Sequence, residues 1–384
     1  MPTESTAPTP ATGTTTHAGS PGRLLDASWK IRFFIVIFAA LLVVRSRAVL
    51  GQDAAFRPEN TRSDYSFLVA GHAYGSHNAN NVGLHPDFIA RLGSTDLTAV
   101  EFLVFTGDTT RDGSQANWET VERELGELNR PYFFAMGNHD DTEEGRKLFI
   151  EKYGNTFYSF DRGSERFVIL DTQRVYGTVS RDQLVFLREC LSEADGNIRN
   201  VLVFMHLVLW NRHAKYKEVR VNEASRYSRM RKSNFWEDVY PILQEHDRKK
   251  VFVFSGDLGA RPDSIPAFYD TWDHITLIAS GMGEVNEENY LLIRVLHSSL
   301  DFRLIALNPK KELKRLEDYT VDRLADYHDP KPVPLAMLLG SYWSRLPRLL
   351  NDHRFRLGVL LTTLLFSTLW LLRIMYAKWG QRAS

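Results

Sequence analysis

The residues of this chain best suited to chemistry follow five short apolar runs, SFLVA, EFLVFT, YFFAM, VLVFM and VFVFS. They include imidazoles, carboxylates and a carboxamide, which are groups that bind Mn, Fe and Zn ions in proteins. A cation held by such a set polarises a bound ester and lowers the pKa of a water molecule towards ~7, so the predicted chemistry is metal-assisted hydrolysis. The candidate residues are His72, Asp108, Asn138, His139, Asp140, His206 and Asp257.

The most specific motif is Gly-Asn-His-Asp at residues 137–140. Asn138 can offer its carbonyl oxygen to a hard cation, and His139 can act as a general acid beside it. Asp140 is predicted to orient the His139 imidazole. Each motif also has a simpler interpretation, because Gly, Asn and Asp are turn residues and a single His at a strand end is commonly a hydrogen-bonded core residue.

The apolar runs also predict how these residues are positioned. Runs of four to six β-branched and aromatic residues indicate buried strands. Between residues 62 and 308, strand-like and helix-compatible stretches alternate at first, and strand-like runs cluster from residue 275 onwards. This order predicts an α/β fold of two packed sheets flanked by helices. Because sites in open α/β sheets lie beyond the carboxyl ends of strands, we expect the candidate residues at one shared edge.

Three further segments follow Gly-Asn-His-Asp in a characteristic order. They are FYSFD at residues 157–161, FVILDT at 167–172 and SRDQL at 180–184. Over residues 65–308 the chain resembles the calcineurin-like metallophosphoesterase superfamily. The resemblance implies a four-layer α/β/β/α sandwich of two mixed sheets, a two-metal centre and a phosphate mono- or diester substrate. It also implies that Asp108 bridges the metals, that Asn138 and His206 bind the second metal, and that His139 protonates the leaving oxygen.

The first and last motifs depart from the family's pattern. The family's Asp-x-His is His-Ala-Tyr here, at residues 72–74, and its Gly-His-x-His is Gly-Asp-Leu-Gly, at 256–259. The first metal keeps Asp108 and His72, with Tyr74 as a pocket residue and a candidate phenolate ligand. The sequence therefore predicts one or two Mn, Fe or Zn ions. In the alternative interpretation, the substituted side chains fill a vacated pocket. The set expected for the second metal is Asp108, Asn138, His206 and Asp257.

Composition divides the chain into segments of different character. The apolar stretches at 33–44 and 357–372 predict membrane segments, because about 20 residues span a bilayer and shorter runs serve as signal sequences. Flanking basic residues favour neither orientation, but the basic-then-apolar order at the N-terminus predicts an extracytoplasmic catalytic domain. The predicted segments are a disordered tail (1–30), a signal anchor or transmembrane helix (31–50), the metallophosphoesterase-like domain (62–308), a helical juxtamembrane connector (309–356) and a transmembrane helix (357–376).

Charge and cysteine content exclude some partners and bonds. The chain has 47 basic and 47 acidic residues, so its charge gives no indication of a nucleic-acid partner. The single cysteine, Cys190, excludes an internal disulfide. A local exception is the segment 211–232, which has eight basic and two acidic residues. Such a run is usually a solvated face, but here we predict that it attracts an anionic substrate or a lipid headgroup.

These observations predict a membrane-anchored, metal-dependent phosphoesterase, with a lipid-linked or envelope phosphate ester as a candidate substrate. The alternative is a catalytically silent relative that binds a ligand or partner at the membrane. A third hypothesis is an accessory protein of polysaccharide assembly whose site handles a sugar or acyl ester. Metal content and the dependence of hydrolysis on Asp108 and His139 separate these functions.

Overall fold

The computed structural model describes residues 64–324, apart from 77–80, 176, 193–196, 223–224, 226–232 and 298, together with 332, 335, 361–363 and 365–369. The predicted tail at 1–30 and membrane segment at 31–50 therefore lie outside the described residues, as does most of the predicted span at 357–376. Among the residues that are described, no helix has both the length and the apolar composition needed to cross a membrane.

The described part of the chain alternates strands and helices and then ends in consecutive strands. The strands are β1 (Tyr65–Ala70), β2 (Val100–Thr106), β3 (Tyr132–Ala135), β4 (Tyr158–Arg162), β5 (Glu165–Ile169), β6 (Asn200–Met205), β7 (Lys250–Ser255), β8 (Ala267–Trp272), β9 (Ile275–Ser280), β10 (Asn289–Leu296) and β11 (Ser299–Ala306). The α-helices are α1 (Pro86–Gly93), α2 (Gln115–Leu128), α3 (Glu143–Tyr153), α4 (Arg181–Leu191) and α5 (Tyr240–Gln244).

The strands form two mixed sheets. The five-stranded sheet has the order β11-β10-β1-β2-β3, in which β1, β2 and β3 are parallel and β10 is antiparallel to both of its neighbours. The six-stranded sheet has the order β4-β5-β6-β7-β9-β8, in which the two edge strands are antiparallel to the strands beside them. The predicted α/β fold with two mixed sheets is confirmed.

The two sheets pack face to face through aromatic side chains. The Phe67 ring of β1 stacks on Phe102 of β2 at 5.2 Å between centroids and meets the edge of Phe167 of β5 at 5.2 Å. Such pairs add to the free energy gained by burying the rings. Residues of α1, α2 and α3 pack on the other face of the five-stranded sheet, and residues of α4 and α5 join the core of the six-stranded sheet. The result is a layered sandwich with both sheets buried.

The packing on both faces explains why the strands read as unbroken apolar runs. In β1, Phe67 and Val69 belong to the core between the sheets, whereas Leu68 and Ala70 belong to the core under the helices. Successive strand residues point to opposite faces, so a strand covered on both faces is apolar at every position.

The compact fold continues past the boundary predicted at residue 308. Leu316 and Tyr319 are buried, and the backbone nitrogen of Tyr269 donates to the carbonyl of Tyr319 at 3.0 Å. A 3₁₀ turn, Leu316–Asp318, immediately precedes Tyr319 and packs against the edge strand β8. At least as far as residue 324, the stretch predicted as a juxtamembrane connector therefore belongs to the domain.

Candidate metal centre

The predicted ligands meet where five strands end. His72 follows β1, Asp108 follows β2, Asn138 follows β3, His206 follows β6 and Asp257 follows β7. Asp108 is central, because its Oδ2 lies 3.4 Å from His72 Nε2 and 3.2 Å from His206 Nε2. Burial alone raises the pKa of Asp108, but the surrounding imidazoles outweigh burial and hold this pKa below its usual range. The geometry thus places a buried carboxylate between two buried histidines.

The backbone at the strand ends adopts conformations that few residues tolerate. His72 and Asp108 have φ angles of 53° and 51°, in the left-handed region. Such residues store strain of about 1–3 kcal/mol each and cluster at functional sites. Gly107 has a φ of 86°, and a Cβ on it would lie 2.6 Å from His206 Nδ1. The Gly-Asp motif is therefore explained by the space that the imidazole occupies.

Four side chains surround the position predicted for the second metal. His206 Nε2 lies 3.0 Å from Asn138 Oδ1, 3.2 Å from Asp108 Oδ2 and 3.9 Å from Asp257 Oδ1. His206 Nδ1 lies 2.9 Å from the Thr106 carbonyl, which can only accept, so Nδ1 carries a hydrogen. Nε2 therefore faces three oxygens, and this arrangement requires a positive charge among them.

In the metal-free chain that positive charge is a proton on His206. Burial alone lowers the pKa of His206, but the Asp108 and Asp257 carboxylates and the hydrogen bonds outweigh burial and raise it to about 9. A divalent cation supplies the same charge and leaves the Nε2 lone pair as a ligand. A divalent cation could therefore replace the proton on His206 Nε2 and lie among the three oxygen atoms.

Asp257 is held in position by a residue that sequence reasoning missed. Ser225 donates to Asp257 Oδ2 from its backbone nitrogen at 2.6 Å and from its hydroxyl at 2.5 Å. These bonds occupy one carboxylate oxygen and leave Oδ1 towards His206. Ser225 lies in the basic segment 211–232, which was interpreted above from its charge alone. Ser225 does not follow a strand-like run, so no motif identified it as a site residue.

The position predicted for the first metal contains His72, His139 and Asp108, whose ligand atoms lie within 4.8 Å of one another. Burial lowers the pKa of His72 to about 3, against the opposing effect of Asp108, so its imidazole is neutral. The His139 backbone nitrogen donates to Asp108 Oδ1 at 2.9 Å. Its ring Nδ1 lies 2.7 Å from the Arg111 carbonyl, so Nδ1 carries the hydrogen and Nε2 the lone pair. Sequence reasoning did not include His139 among the metal ligands, nor Arg111 as its partner.

Tyr74 is a hydrogen-bond donor in this pocket. Its hydroxyl lies 3.2 Å from His139 Nε2, and its ring lies 4.5 Å from the ring of His72. Burial, followed by the charge of Asp108, raises the pKa of Tyr74 well above its ordinary value. The side chain is therefore a neutral phenol, and the predicted phenolate ligand is not supported in the metal-free protein.

Asp140 connects the loop after β2 with the loop after β3 through hydrogen bonds, and it does not orient His139 as predicted. Its carboxylate accepts hydrogen bonds from the backbone nitrogens of Thr109, Thr110 and Gly137, at 3.2, 2.8 and 3.0 Å, and from the Thr110 hydroxyl at 2.8 Å. Both ring nitrogens of His139 have the other partners given above. The prediction was wrong because neighbouring residues in a tight turn send their side chains in different directions.

Two buried atoms at the centre lack a well-directed hydrogen bond within the described part of the chain, although one of them lies 3.2 Å from His206 Nε2. They are Asp108 Oδ2 and His72 Nδ1. An unsatisfied buried polar atom costs roughly 1–3 kcal/mol and more when charged, and a bound cation removes that cost at the carboxylate. The donor set of carboxylates, imidazoles and an amide oxygen suits Mn, Fe or Zn. The residues therefore fit one or two divalent ions, with Asp108 in both ligand groups.

A third group with metal-ligand residues has a different role. His85, Asp87 and Glu288 lie close together at the start of α1. His85 Nδ1 accepts a hydrogen bond from the Asp87 backbone nitrogen at 3.1 Å, so the ring hydrogen is on Nε2, 3.2 Å from Glu288 Oε1. Both nitrogens of His85 are thereby engaged, and the group is a helix cap.

The basic segment 211–232 is described in part, because 223–224 and 226–232 lie outside the described residues. Lys215 Nζ lies 2.5 Å from Asp270 Oδ2, and Arg220 Nη1 lies 3.5 Å from Asp263 Oδ2. Arg212 donates to the Ser225 carbonyl at 2.7 Å. These three cations therefore have local partners, and attraction of an anion by the segment stays a prediction.

We expect the metal-free protein to lose stability as the pH rises from about 6.5 to about 9. The pKa of His206 is about 9 in the folded chain against 6.5 ordinarily, so its contribution is complete below pH 6.5 and lost as pH passes through 9. Thermal unfolding with a chelator, at several pH values, measures this loss. His206→Asn cannot titrate and should flatten the profile. Identical slopes for the two proteins would contradict the assignment.

The sequence and fold were also compared with known proteins. A sequence model described as calcineurin-like phosphoesterase matches residues 77–256. A probable cyclic nucleotide phosphodiesterase of Fibrobacter succinogenes is 27% identical over 130 residues, which are 33% of this chain and 49% of that protein. A probable cyclic nucleotide phosphodiesterase of a Synechococcus species is 31% identical over 116 residues, which are 28% of this chain and 44% of that protein. The matches thus span less than half the length of these relatives.

Among solved structures, the purple acid phosphatase PPD1 of yellow lupin is similar with a TM-score of 0.47 and 14% identity, over 73% of this chain and 59% of that chain. The domain match covers the segments that carry Asp108, Asn138 and His206, as well as the Gly256 that precedes Asp257. The family match over residues 77–256 and the curated relatives thus support the predicted resemblance to the calcineurin-like phosphoesterase superfamily.

Proposed function

We propose that this protein is a metal-dependent phosphoesterase that prefers phosphodiesters. The observation that carries the proposal is the position of Asp108, whose buried carboxylate belongs to both candidate ligand groups and lies 3.4 Å from His72 Nε2 and 3.2 Å from His206 Nε2. The names of the two curated relatives, both probable cyclic nucleotide phosphodiesterases, support the choice of substrate class.

The residues of the centre divide the work of hydrolysis between them. Bound divalent metal supplies the charge that polarises a phosphoryl oxygen and lowers the pKa of water. Asp108 would contribute a ligand at both positions, and Asp257, which Ser225 keeps in place, would contribute one at the second position. The His139 imidazole, whose Nε2 lies 3.2 Å from the Tyr74 hydroxyl, would take up the proton that the attacking water releases and pass it to the leaving oxygen, while Tyr74 stays protonated.

The ligand count favours diesters over monoesters. A tyrosine and a glycine, Tyr74 and Gly259, stand where the resemblance implies histidine ligands. A centre that holds one cation in place of two carries less positive charge, and a diester monoanion needs less charge neutralisation than a monoester dianion. An ester with a good leaving group depends least on a complete pair of cations. We therefore assign phosphodiesters as the substrate class, with lipid-linked and envelope diesters as the candidates to test.

A second candidate function is ligand binding without catalysis. Some polar groups of the pocket already have hydrogen-bond partners within the protein, and this observation favours the second function. The Tyr74 hydroxyl is hydrogen-bonded to His139 Nε2, and the Ser225 hydroxyl donates to one oxygen of Asp257. A protein of this kind holds its ligand in the cleft and does not turn it over.

Metal content and hydrolysis together test the proposal. We expect the purified full chain to contain Mn, Fe or Zn and to cleave bis(p-nitrophenyl) phosphate faster than p-nitrophenyl phosphate, with loss of activity after chelation. His139→Ala should lower this hydrolysis by about 10²–10⁴. The matched control is His297→Ala, whose exposed ring lies on the turn between β10 and β11. Metal without turnover, or protein that neither contains nor responds to metal, would refute the phosphoesterase and favour the binding protein.

We further propose that the domain is held at a membrane with the metal centre outside the cytoplasm. The apolar stretches at 33–44 and 357–372 support this location. Sedimentation of the full chain with membranes after alkaline carbonate washing tests the tether, and protease treatment of intact cells tests the side. Release into the wash would contradict the tether.

A further inference from the structure

Three arginines share a surface cavity far from the metal centre. The cavity has a volume of about 300 Å³ and lies on the helix-covered face of the five-stranded sheet. Arg91 reaches it from α1, Arg294 from β10 and Arg303 from β11, and Ser66 of β1 also lines it. It therefore brings together side chains from four elements.

The strand register places two of these arginines side by side. Arg303 of β11 is paired with Leu292 of β10. Arg294 lies two residues after Leu292 in β10 and is paired with Ser66 of β1 on the other side. The two arginines are thus diagonal neighbours on one face of the sheet, with about 7–8 Å between them. Both are exposed, so their guanidinium groups are accessible to a dissolved ligand.

Arg91 is fixed in place beside them. Its Nε donates to the Ala306 carbonyl at 3.2 Å, and its Nη1 donates to the Ser94 hydroxyl at 3.2 Å. A guanidinium held by two contacts loses less conformational entropy when it binds a further group. One wall of the cavity is therefore preorganised.

Three arginines outnumber the carboxylates around the cavity in the described part of the chain, which are Asp96 in its lining and Asp301 opposite Arg294 on the neighbouring strand. Asp96 lines the cavity, but its Oδ1 already accepts hydrogen bonds from the backbone nitrogen and the hydroxyl of Thr98. By contrast, Arg162 has Glu101 at 2.7 Å. Neighbouring like charges repel each other, and an anion between them relieves that repulsion.

We propose that this cavity binds a phosphate group. Arginine is suited to phosphate, because its planar fork of N–H donors makes paired charge-assisted hydrogen bonds to two oxygens. The cavity size fits a phosphate and its first substituent, and the Ser66 hydroxyl offers a further donor. The ligand class is therefore a phosphate anion or a phosphomonoester.

This site is separate from the metal centre. Ser66 lies near the start of β1 and His72 lies beyond its end, so six residues at about 3.3 Å each put them roughly 20 Å apart. The inference does not rest on the proposed hydrolysis. Two sources can present the same chemistry, namely phosphate in solution and the headgroup of an anionic phospholipid.

Arginine modification read by mass spectrometry tests the proposal on the full chain. Phenylglyoxal labels accessible arginines, and a bound phosphate group should protect Arg294 and Arg303 but leave the exposed Arg315 labelled. The probes are inorganic phosphate, monomeric dihexanoyl phosphatidic acid and, as the neutral control, dihexanoyl phosphatidylcholine. Repeating the assay in Asp108→Asn removes any contribution from the metal centre.

The outcomes separate the sources. Protection by inorganic phosphate supports the site and assigns a soluble ligand, whereas protection by phosphatidic acid alone supports it and assigns a lipid headgroup. Direct titration should then show affinity reduced about tenfold or more in R294Q/R303Q. The matched control R188Q/R315Q, at exposed arginines elsewhere, removes the same charge and should bind like the wild type. Equal labelling with and without all three probes would overturn the proposal.

Discussion

Asp108→Asn is expected to lower metal-dependent hydrolysis by more than about a hundredfold and to reduce the metal content of the purified protein. Loss of a group that only supports a ligand costs about 10–100-fold, and a direct ligand costs more. Asp108 belongs to both candidate ligand groups, so both positions weaken together. Asparagine keeps the shape of the side chain but removes the charge that offsets the repulsion between two cations.

Elemental analysis and kcat/KM with bis(p-nitrophenyl) phosphate check this expectation. The control is Asp247→Asn, in which the same change is made at an exposed residue shortly before β7 begins. Asp257 follows the other end of that strand, so the control lies at the opposite edge of the sheet. A variant at Asp108 with full metal content and normal turnover would remove Asp108 from the centre and with it the proposed function.

The elements that carry the candidate site could be predicted because their sequences satisfy one strong constraint. Each of the five apolar runs lies in or directly follows a mostly buried strand, and runs of four to six β-branched and aromatic residues are typical of such strands. Helices α2 (Gln115–Leu128) and α4 (Arg181–Leu191) fall among the helix-compatible stretches that alternate with the strand-like runs. Unbroken apolar runs therefore predicted the strands, and the general location of sites in α/β sheets predicted the edge at which their ends meet.

The orientation of side chains within the site could not be predicted in the same way. His139 is held by the backbone carbonyl of Arg111, and every residue has a carbonyl, so no residue type marks this partner. Ser225 fixes Asp257 from a position 32 residues earlier in the chain. The arginine cavity depends on the register between β10 and β11, which sets Arg294 diagonal to Arg303. These features arise from contacts between distant segments, and local patterns do not encode them.

Gly137→Ala should destabilise the protein severely, because the glycine of Gly-Asn-His-Asp is in direct contact with Asp108. A Cβ at position 137 would lie 2.0 Å from the Asp108 backbone nitrogen and 2.2 Å from Asp108 Oδ1. Backbone atoms cannot move aside as a flexible side chain can, so the loops after β2 and β3 must separate. We expect a loss of about 3 kcal/mol or more in the free energy of unfolding.

Thermal unfolding of Gly137→Ala and of the matched variant Gly126→Ala isolates this contact. Gly126 lies within α2, and a Cβ there meets no atom within 4 Å. The same substitution at Gly126 should therefore raise stability by about 0.5–1 kcal/mol, since alanine is the better helix former. At Gly137 we expect Tm to fall by roughly 6–12 °C, or no folded protein at all, together with loss of bound metal. If Gly137→Ala unfolds at the wild-type temperature and keeps its metal, the loops after β2 and β3 do not approach each other this closely, and the shared Asp108 carboxylate loses its structural basis.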